Sequence, residues 1–155
     1  MKIRPATAAD FAAIAGIAER AYRQGFGKIM TPTGLALRDA AHFAERFARE
    51  SIPPILAETD DGTTLGFHLT QDGTLRMLFV DPGVQSQGAG GALLADAEAR
   101  GAECLECFRD NKAARAFYEK RGWVHSRDYD REFIGDVYAF VEYVKPAGWS
   151  VIGGE

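Results

Sequence analysis

The stretch Val80-Asp81-Pro82-Gly83-Val84-Gln85-Ser86-Gln87-Gly88-Ala89-Gly90-Gly91-Ala92-Leu93-Leu94 limits the fold of this chain more than any other. An apolar run from Leu75 to Val80 reads as a strand, and Asp81-Pro82-Gly83 stops it. A glycine-rich turn follows, and a helix opens at Ala92-Leu93-Leu94. The first N–H groups of a helix lack internal partners and carry partial positive charge, so they attract anions. Glycine there lets the backbone approach a phosphate closely. A Walker loop is excluded, because Gly91-Ala92 stands where Lys-Ser/Thr is required. The dinucleotide fingerprint also fails, since Leu93 occupies the place of its third glycine. The pattern Gln/Arg-x-x-Gly-x-Gly/Ala after Val-x-Pro fits Gln85-Ser86-Gln87-Gly88-Ala89-Gly90 and Val80-Asp81-Pro82 at every defined position.

A second block lies one helix and one strand downstream: Asn111-Lys112-Ala113-Ala114-Arg115-Ala116-Phe117-Tyr118-Glu119-Lys120-Arg121-Gly122-Trp123. Together the two blocks resemble the acetyl-CoA loop and the Asn-x-x-Ala-x-x-x-Tyr-x-x-x-Gly-Phe/Trp signature of the GNAT superfamily of N-acetyltransferases. The resemblance extends from Lys2–Pro5 to Tyr138–Lys145. It implies an α/β (α+β) fold with a mixed, mostly antiparallel sheet of about seven strands flanked by about four helices.

The bulk numbers agree with such a domain. A chain of 155 residues, 46% hydrophobic and 26% charged, supports one core, expected over residues 1–146, with 147–155 as a tail. The net charge of −4 argues against a phosphate-backbone binder, so no nucleic-acid partner is expected. No apolar run approaches the ~20 residues of a membrane span, and Met1 to Pro5 begins no signal peptide. The expectation is a cytoplasmic monomer or homodimer without membrane attachment. The two cysteines, Cys104 and Cys107, fall on a strand and point to opposite faces; with no second pair they make no zinc site. No metal is expected.

Periodicity places the elements. Phe11, Ile14, Ala15, Ala18 and Tyr22 mark a helix after Thr7, ended by Gly25 and Gly27. A single second helix is expected after Thr31-Pro32-Thr33, through Leu37, Ala40, Ala44 and Phe47, closed by Pro53-Pro54. Strands Ile55–Thr59, Thr64–Thr70 and Thr74–Val80 form a meander across Asp60-Asp61-Gly62 and Gln71-Asp72-Gly73. After the glycine turn, a helix runs to about Arg100. Strand Glu103–Phe108, helix Lys112–Arg121, and strands Trp123–Asp128 and Tyr138–Lys145 complete the chain.

The resemblance implies roles for particular residues. The fourth and fifth strands splay apart, and the pantetheine arm of acetyl-CoA enters between them. Leu78, Phe79 and Val80 line that gap, with the Leu78 N–H as oxyanion donor. The N–H groups from Gln87 through Gly88, Ala89, Gly90, Gly91 and Ala92 cradle the pyrophosphate. Gln85 opens the loop where many members carry arginine. Asn111 caps the next helix and reaches the cofactor, and Tyr118 donates a proton to the leaving thiolate. Tyr22 and Phe26 overhang the acceptor site. The fourth-strand base of many members is missing, because Thr74 and Arg76 stand there. Glu106 is the first candidate in its place, twelve residues before Tyr118, with Glu58, His68 and a water chain left open. Arg76, read as sharing a strand face with Thr74, Leu78 and Val80, suits an acceptor with a carboxylate near its amine. The expected activity is direct transfer of acetyl from acetyl-CoA to a primary amine of a small molecule or peptide. Two alternatives stand beside it: a CoA-binding module without transferase activity, and transfer of a longer acyl group.

Overall fold

The computed structural model describes residues 1–84 and 88–146; Gln85, Gln87 and the expected tail, 147–155, lie outside them. The chain runs β1 (Lys2–Pro5), a 3-10 turn (Ala8–Asp10), α1 (Phe11–Phe26), α2 (Pro32–Ala36), α3 (Ala40–Arg49) and β2 (Ile55–Glu58). It continues as β3 (Thr64–Gln71), β4 (Thr74–Val80), α4 (Ala89–Ala99), β5 (Cys104–Phe108), α5 (Lys112–Lys120), β6 (Val124–Phe133) and β7 (Asp136–Val144). The strands form one sheet in the order β1-β2-β3-β4-β5-β7-β6, antiparallel throughout except for the parallel contact of β4 with β5.

Two boundaries differ from the sequence reading. The helix expected from Thr31 to Phe47 is two helices, because the segment carries two N-caps. The Thr31 hydroxyl accepts from the Gly34 N–H at 3.1 Å, and the Asp39 carboxylate accepts from the His42 N–H at 2.9 Å. Each restarts a helix with its own direction. The sixth strand does not stop at Asp128 but runs to Phe133 and turns through Ile134 and Gly135 into a seventh strand that starts at Asp136. Both turn residues have positive φ, 52° and 85°, which is the geometry of a two-residue hairpin. A β-branched residue rarely adopts it. Ile134 does so while packing with Met30 and Phe108.

The core is split by the sheet. On one face α1 and α3 bury Ile14, Ile17, Phe43 and Phe47 against Phe67 and Met77. On the other, α4 and α5 bury Leu94, Tyr118 and Trp123 against Leu75, Leu105 and Val141. Each fully buried large apolar side chain contributes about 1.5–3 kcal/mol of transfer free energy. The Trp123 indole N–H also donates to Glu98 at 2.8 Å, fixing the end of α5 to α4.

A bulge in β4 shapes the middle of the sheet. Leu69 pairs with Met77 but Thr70 pairs with Leu75, so Arg76 is the extra residue. Alternation therefore breaks there. Leu75 and Leu78 both pack on the α4–α5 side, while Met77 and Phe79 pack on the α1–α3 side. Arg76 reaches Glu50 at the end of α3, with N–O distances of 2.9 and 3.3 Å. It does not share a face with Leu78 and Val80, as uninterrupted alternation would require.

At the far edge, Arg4 joins three segments. Its guanidinium donates to Asp10 at 2.9 and 3.1 Å and to Glu58 at 2.9 and 3.3 Å. The Arg4 hydrogen bond, then the Thr7 backbone N–H, hold the Asp10 carboxyl down from 3.8 to about 2. A depressed carboxylate stabilises the fold above its unfolded pKa, and that contribution is lost as pH falls through the folded value. Asp10→Asn should therefore lower the melting temperature relative to wild type above pH 3.8, and the gap should close toward pH 2. Thermal unfolding followed by circular dichroism between pH 2 and 7 measures it.

Candidate active site

β4 and β5 are bridged at one residue pair, Thr74 with Cys104. Beyond it the strands part. The Asp81 N–H donates to the Leu65 carbonyl on β3 at 2.8 Å. Strand alternation then turns the backbone groups of Phe79 toward β3 and those of Leu78 and Val80 toward the gap. An extended ligand arm can pair with them there as a further strand would.

The parting opens a cavity of about 360 Å³ lined by residues from both faces of the sheet. On the α4–α5 side it is lined by Leu78, Cys107, Asn111, Ala114 and Tyr118. On the α1–α3 side it is lined by Tyr22, Phe26, Glu106, Phe108, Arg131 and Phe140. Tyr22 and Phe26 from α1 span the gap. Tyr22 lies 5.5 Å from the Phe79 ring on β4, and Phe26 lies 5.0 Å from the Phe108 ring on β5.

Asn111 caps α5 through a 3.2 Å bond from the Ala114 N–H, which sets the helix that carries Tyr118. Burial pushes the Tyr118 phenol well above its ordinary range, with the Cys107 thiol adding to the shift. Burial likewise raises Cys107 to about 11. Both groups keep their protons at neutral pH. A fully protonated phenol facing the gap is a proton donor.

Glu106 stands differently. Removal from water raises its pKa, but hydrogen bonds from Arg131 and Tyr129 outweigh this and hold it below the ordinary carboxylate range. Arg131 Nε donates at 2.9 Å and its Nη2 donates to the other oxygen, while the Tyr129 hydroxyl also donates. An ion-paired carboxylate of this kind is a poor proton acceptor. Of the other base candidates, Glu58 is taken by Arg4, and His68 is buried between Asp96 and Thr70; neither lines the cavity. Arg76 does line it, yet its guanidinium is paired with Glu50 and Gln71.

Arg131 and Tyr129 lie beyond Asp128, where the sequence reading ends the sixth strand. The alternation Tyr129, Arg131, Phe133 was the available signal. Arg131 sits over the Phe140 ring at 4.2 Å, so the cation is held by a ring face as well as by Glu106.

The glycine turn leads into α4. Gly88 is its N-cap with φ of 81°, a conformation glycine adopts without strain. The first helical bond is from the Ala92 N–H to the Gly88 carbonyl, at 3.1 Å. Among the described residues no helical acceptor serves the N–H groups of Ala89, Gly90 and Gly91, whereas that of Ala92, expected to join the cradle, is already used. A Cβ on Gly90 would lie 3.2 Å from the Phe117 ring. Among the described residues no group of three or more His, Cys, Asp or Glu is placed to hold a metal, and no helix is long and apolar enough to cross a membrane.

Comparison with known proteins agrees with this arrangement. The family model for the acetyltransferase (GNAT) domain matches residues 18–146. A search of the curated proteins finds no match. Among solved structures, the apo form of YjaB from Escherichia coli is similar, with a TM-score of 0.77 and 20% identity over 94% of this chain and 97% of that one. A GCN5-related N-acetyltransferase from Rhodopseudomonas palustris has a TM-score of 0.71 and 26% identity, over 93% and 94%. The PaiA N-acetyltransferase from Thermoplasma acidophilum, solved with coenzyme A, has a TM-score of 0.66 and 18% identity, over 93% and 98%. With both sequence blocks on the two walls of a parted sheet and the family model matching most of its length, this chain belongs to the GNAT acetyltransferase family.

Proposed function

We propose that the protein moves the acetyl group of acetyl-CoA to a primary amine by direct attack in a ternary complex. The observation that carries this reading is the gap between β4 and β5, lined from both faces, with a buried protonated Tyr118 on one side and an aromatic, charged recess on the other. Structures of similar fold carry coenzyme A and acetyl-CoA, which supports the choice of donor.

In this reading Gly88 to Gly91 receive the pyrophosphate on backbone N–H groups of the first helical turn. The pantetheine arm lies along the open edge of β4, against Leu78, Phe79 and Val80, with Asn111 across the gap. The amine enters past Tyr22 and Phe26, loses its ammonium proton to solvent, and its nitrogen attacks the thioester carbon. Negative charge gathers on the carbonyl oxygen, where the Leu78 N–H donates to it. The new C–N bond forms, the C–S bond breaks, and the Tyr118 phenol protonates the departing thiolate. The surplus amine proton leaves to solvent, and Tyr118 takes a proton back from solvent to restore the phenol. We assign Glu106 to holding the incoming amine rather than to deprotonating it, because Arg131 and Tyr129 hold its proton affinity low.

Release of free thiol from acetyl-CoA with a panel of amines tests the activity, and none with any amine would leave only a binding module. Gly90→Val places methyl groups against Phe117 and should abolish acetyl-CoA binding in calorimetry while the circular dichroism spectrum stays native. Tyr118→Phe should lower turnover by up to about 10²-fold with little change in cofactor affinity. Equal turnover under rate-limiting chemistry would reduce Tyr118 to a packing role. Glu106 is already ionised at neutral pH, so the rise in rate with pH should follow the acceptor amine. Glu106→Gln should raise the KM for the amine and leave the position of that limb unchanged; a displaced limb in the kcat/KM profile would make Glu106 the base.

A further inference from the structure

Glu106 and Arg131 form an ion pair, and both line the cavity. A ligand carrying one cation and one anion side by side matches the pair charge for charge. We propose that the acceptor is a free α-amino acid with an apolar or aromatic side chain, bound by exchange of partners with this pair. The inference rests on the acetyltransferase reading above.

Glu106 takes the ammonium, which gives up its proton to solvent before the nitrogen attacks, and Arg131 takes the carboxylate. The two protein groups are already in contact through Arg131 Nε at 2.9 Å, so one small ligand with amine and carboxylate on the same carbon can reach both. The pair has room to do this. The Arg131 side chain is 40% exposed and that of Glu106 31%, so parting them needs no opening of the core. Arg131 keeps its place during the exchange because the Phe140 face holds it.

The wider charge pattern rejects the alternatives. Arg46, Arg76 and Arg131 line the cavity, with Glu106 as the carboxylate among the described lining residues. Glu50 answers Arg46 and Arg76 from the end of α3. A simple amine that took Glu106 would leave Arg131 without an anion. A polyamine would add cations to a recess already rich in guanidinium. A peptide chain end has an amide where the carboxylate is needed. Phe26, Phe108, Phe133 and Phe140 supply an aromatic wall for the side chain of the amino acid. Acetylation then aids release. The product amide carries no positive charge, Glu106 loses its ligand partner, and it returns to Arg131 in competition with the product carboxylate.

The test compares thiol release by the wild-type protein with phenylalanine, phenylalaninamide, 2-phenylethylamine and spermidine. Phenylalanine should give a kcat/KM about 10-fold or more above each of the others, the discrimination expected from one charge-assisted contact. Arg131→Met should raise the KM for phenylalanine by a similar factor and leave that for 2-phenylethylamine level or lower, with Arg131→Lys recovering part of the loss. Should the Arg131 variants fail to fold, the wild-type panel decides alone. Turnover of 2-phenylethylamine or spermidine at or above that of phenylalanine overturns the acceptor assignment and leaves acetyl transfer standing. Absence of thiol release with all four, together with no acetyl-CoA binding in calorimetry, overturns acetyl transfer and the acceptor assignment with it. Absence of release with acetyl-CoA bound overturns the acceptor assignment alone.

Discussion

The single bridge between β4 and β5 is the constraint on which the rest of this molecule depends. Adjacent strands ordinarily zip along their length, since unpaired backbone groups away from water are costly. Here pairing stops after Thr74 and Cys104. Bulk on both sides holds the strands apart. From one face Tyr22 and Phe26 wedge between Phe79 and Phe108; from the other Tyr118 stands among Leu75 and Leu105. The Arg76 bulge adds local twist to β4 just where it leaves its neighbour. The backbone of Leu78 and Val80 is left open as a consequence.

The opening joins two unlike environments. Toward α4 and α5 the walls are mostly apolar, and burial raises the acidic groups Tyr118 and Cys107 further above neutral pH. Toward α1 and β6 the walls combine aromatic rings with charged pairs, and the hydrogen bonds of Arg131 keep Glu106 ionised. A proton donor and a carboxylate that keeps its charge thus face the same gap from opposite sides of the sheet. Both states are those of the ordinary residue types at neutral pH, and the surroundings widen the margin: Cys107 and Glu106, adjacent in sequence, point to opposite faces of β5 and meet burial on one side and Arg131 on the other.

Much of the fold was legible because its signals are local. The turns at Asp72-Gly73 and the glycine stretch before α4, the apolar runs of β3 and β4, and the helical spacing in α1 all sit within a few residues of one another. Errors came where a local pattern continued past its physical end or stopped short of it. The spacing of Leu37, Ala40 and Ala44 looks continuous, but Asp39 caps a new helix between them. The β6 strand is polar and at the edge of the sheet, so it lacks the apolar alternation that announces a buried strand, and Tyr129 and Arg131 were lost with it.

By itself the sequence determined the family blocks and, apart from the split of one helix, the order of the elements, because each depends on spacing along the chain. It also placed Tyr118 and Asn111 on one helix. Tertiary structure decided what those residues meet. Whether Glu106 is free or paired depends on Arg131, twenty-five residues away and two strands over in the sheet. The direction of Arg76 depends on one extra residue in β4 relative to β3, which no periodicity in β4 alone reveals. Proton affinity and side-chain direction are set by neighbours distant in sequence, and only the folded chain brings those neighbours together.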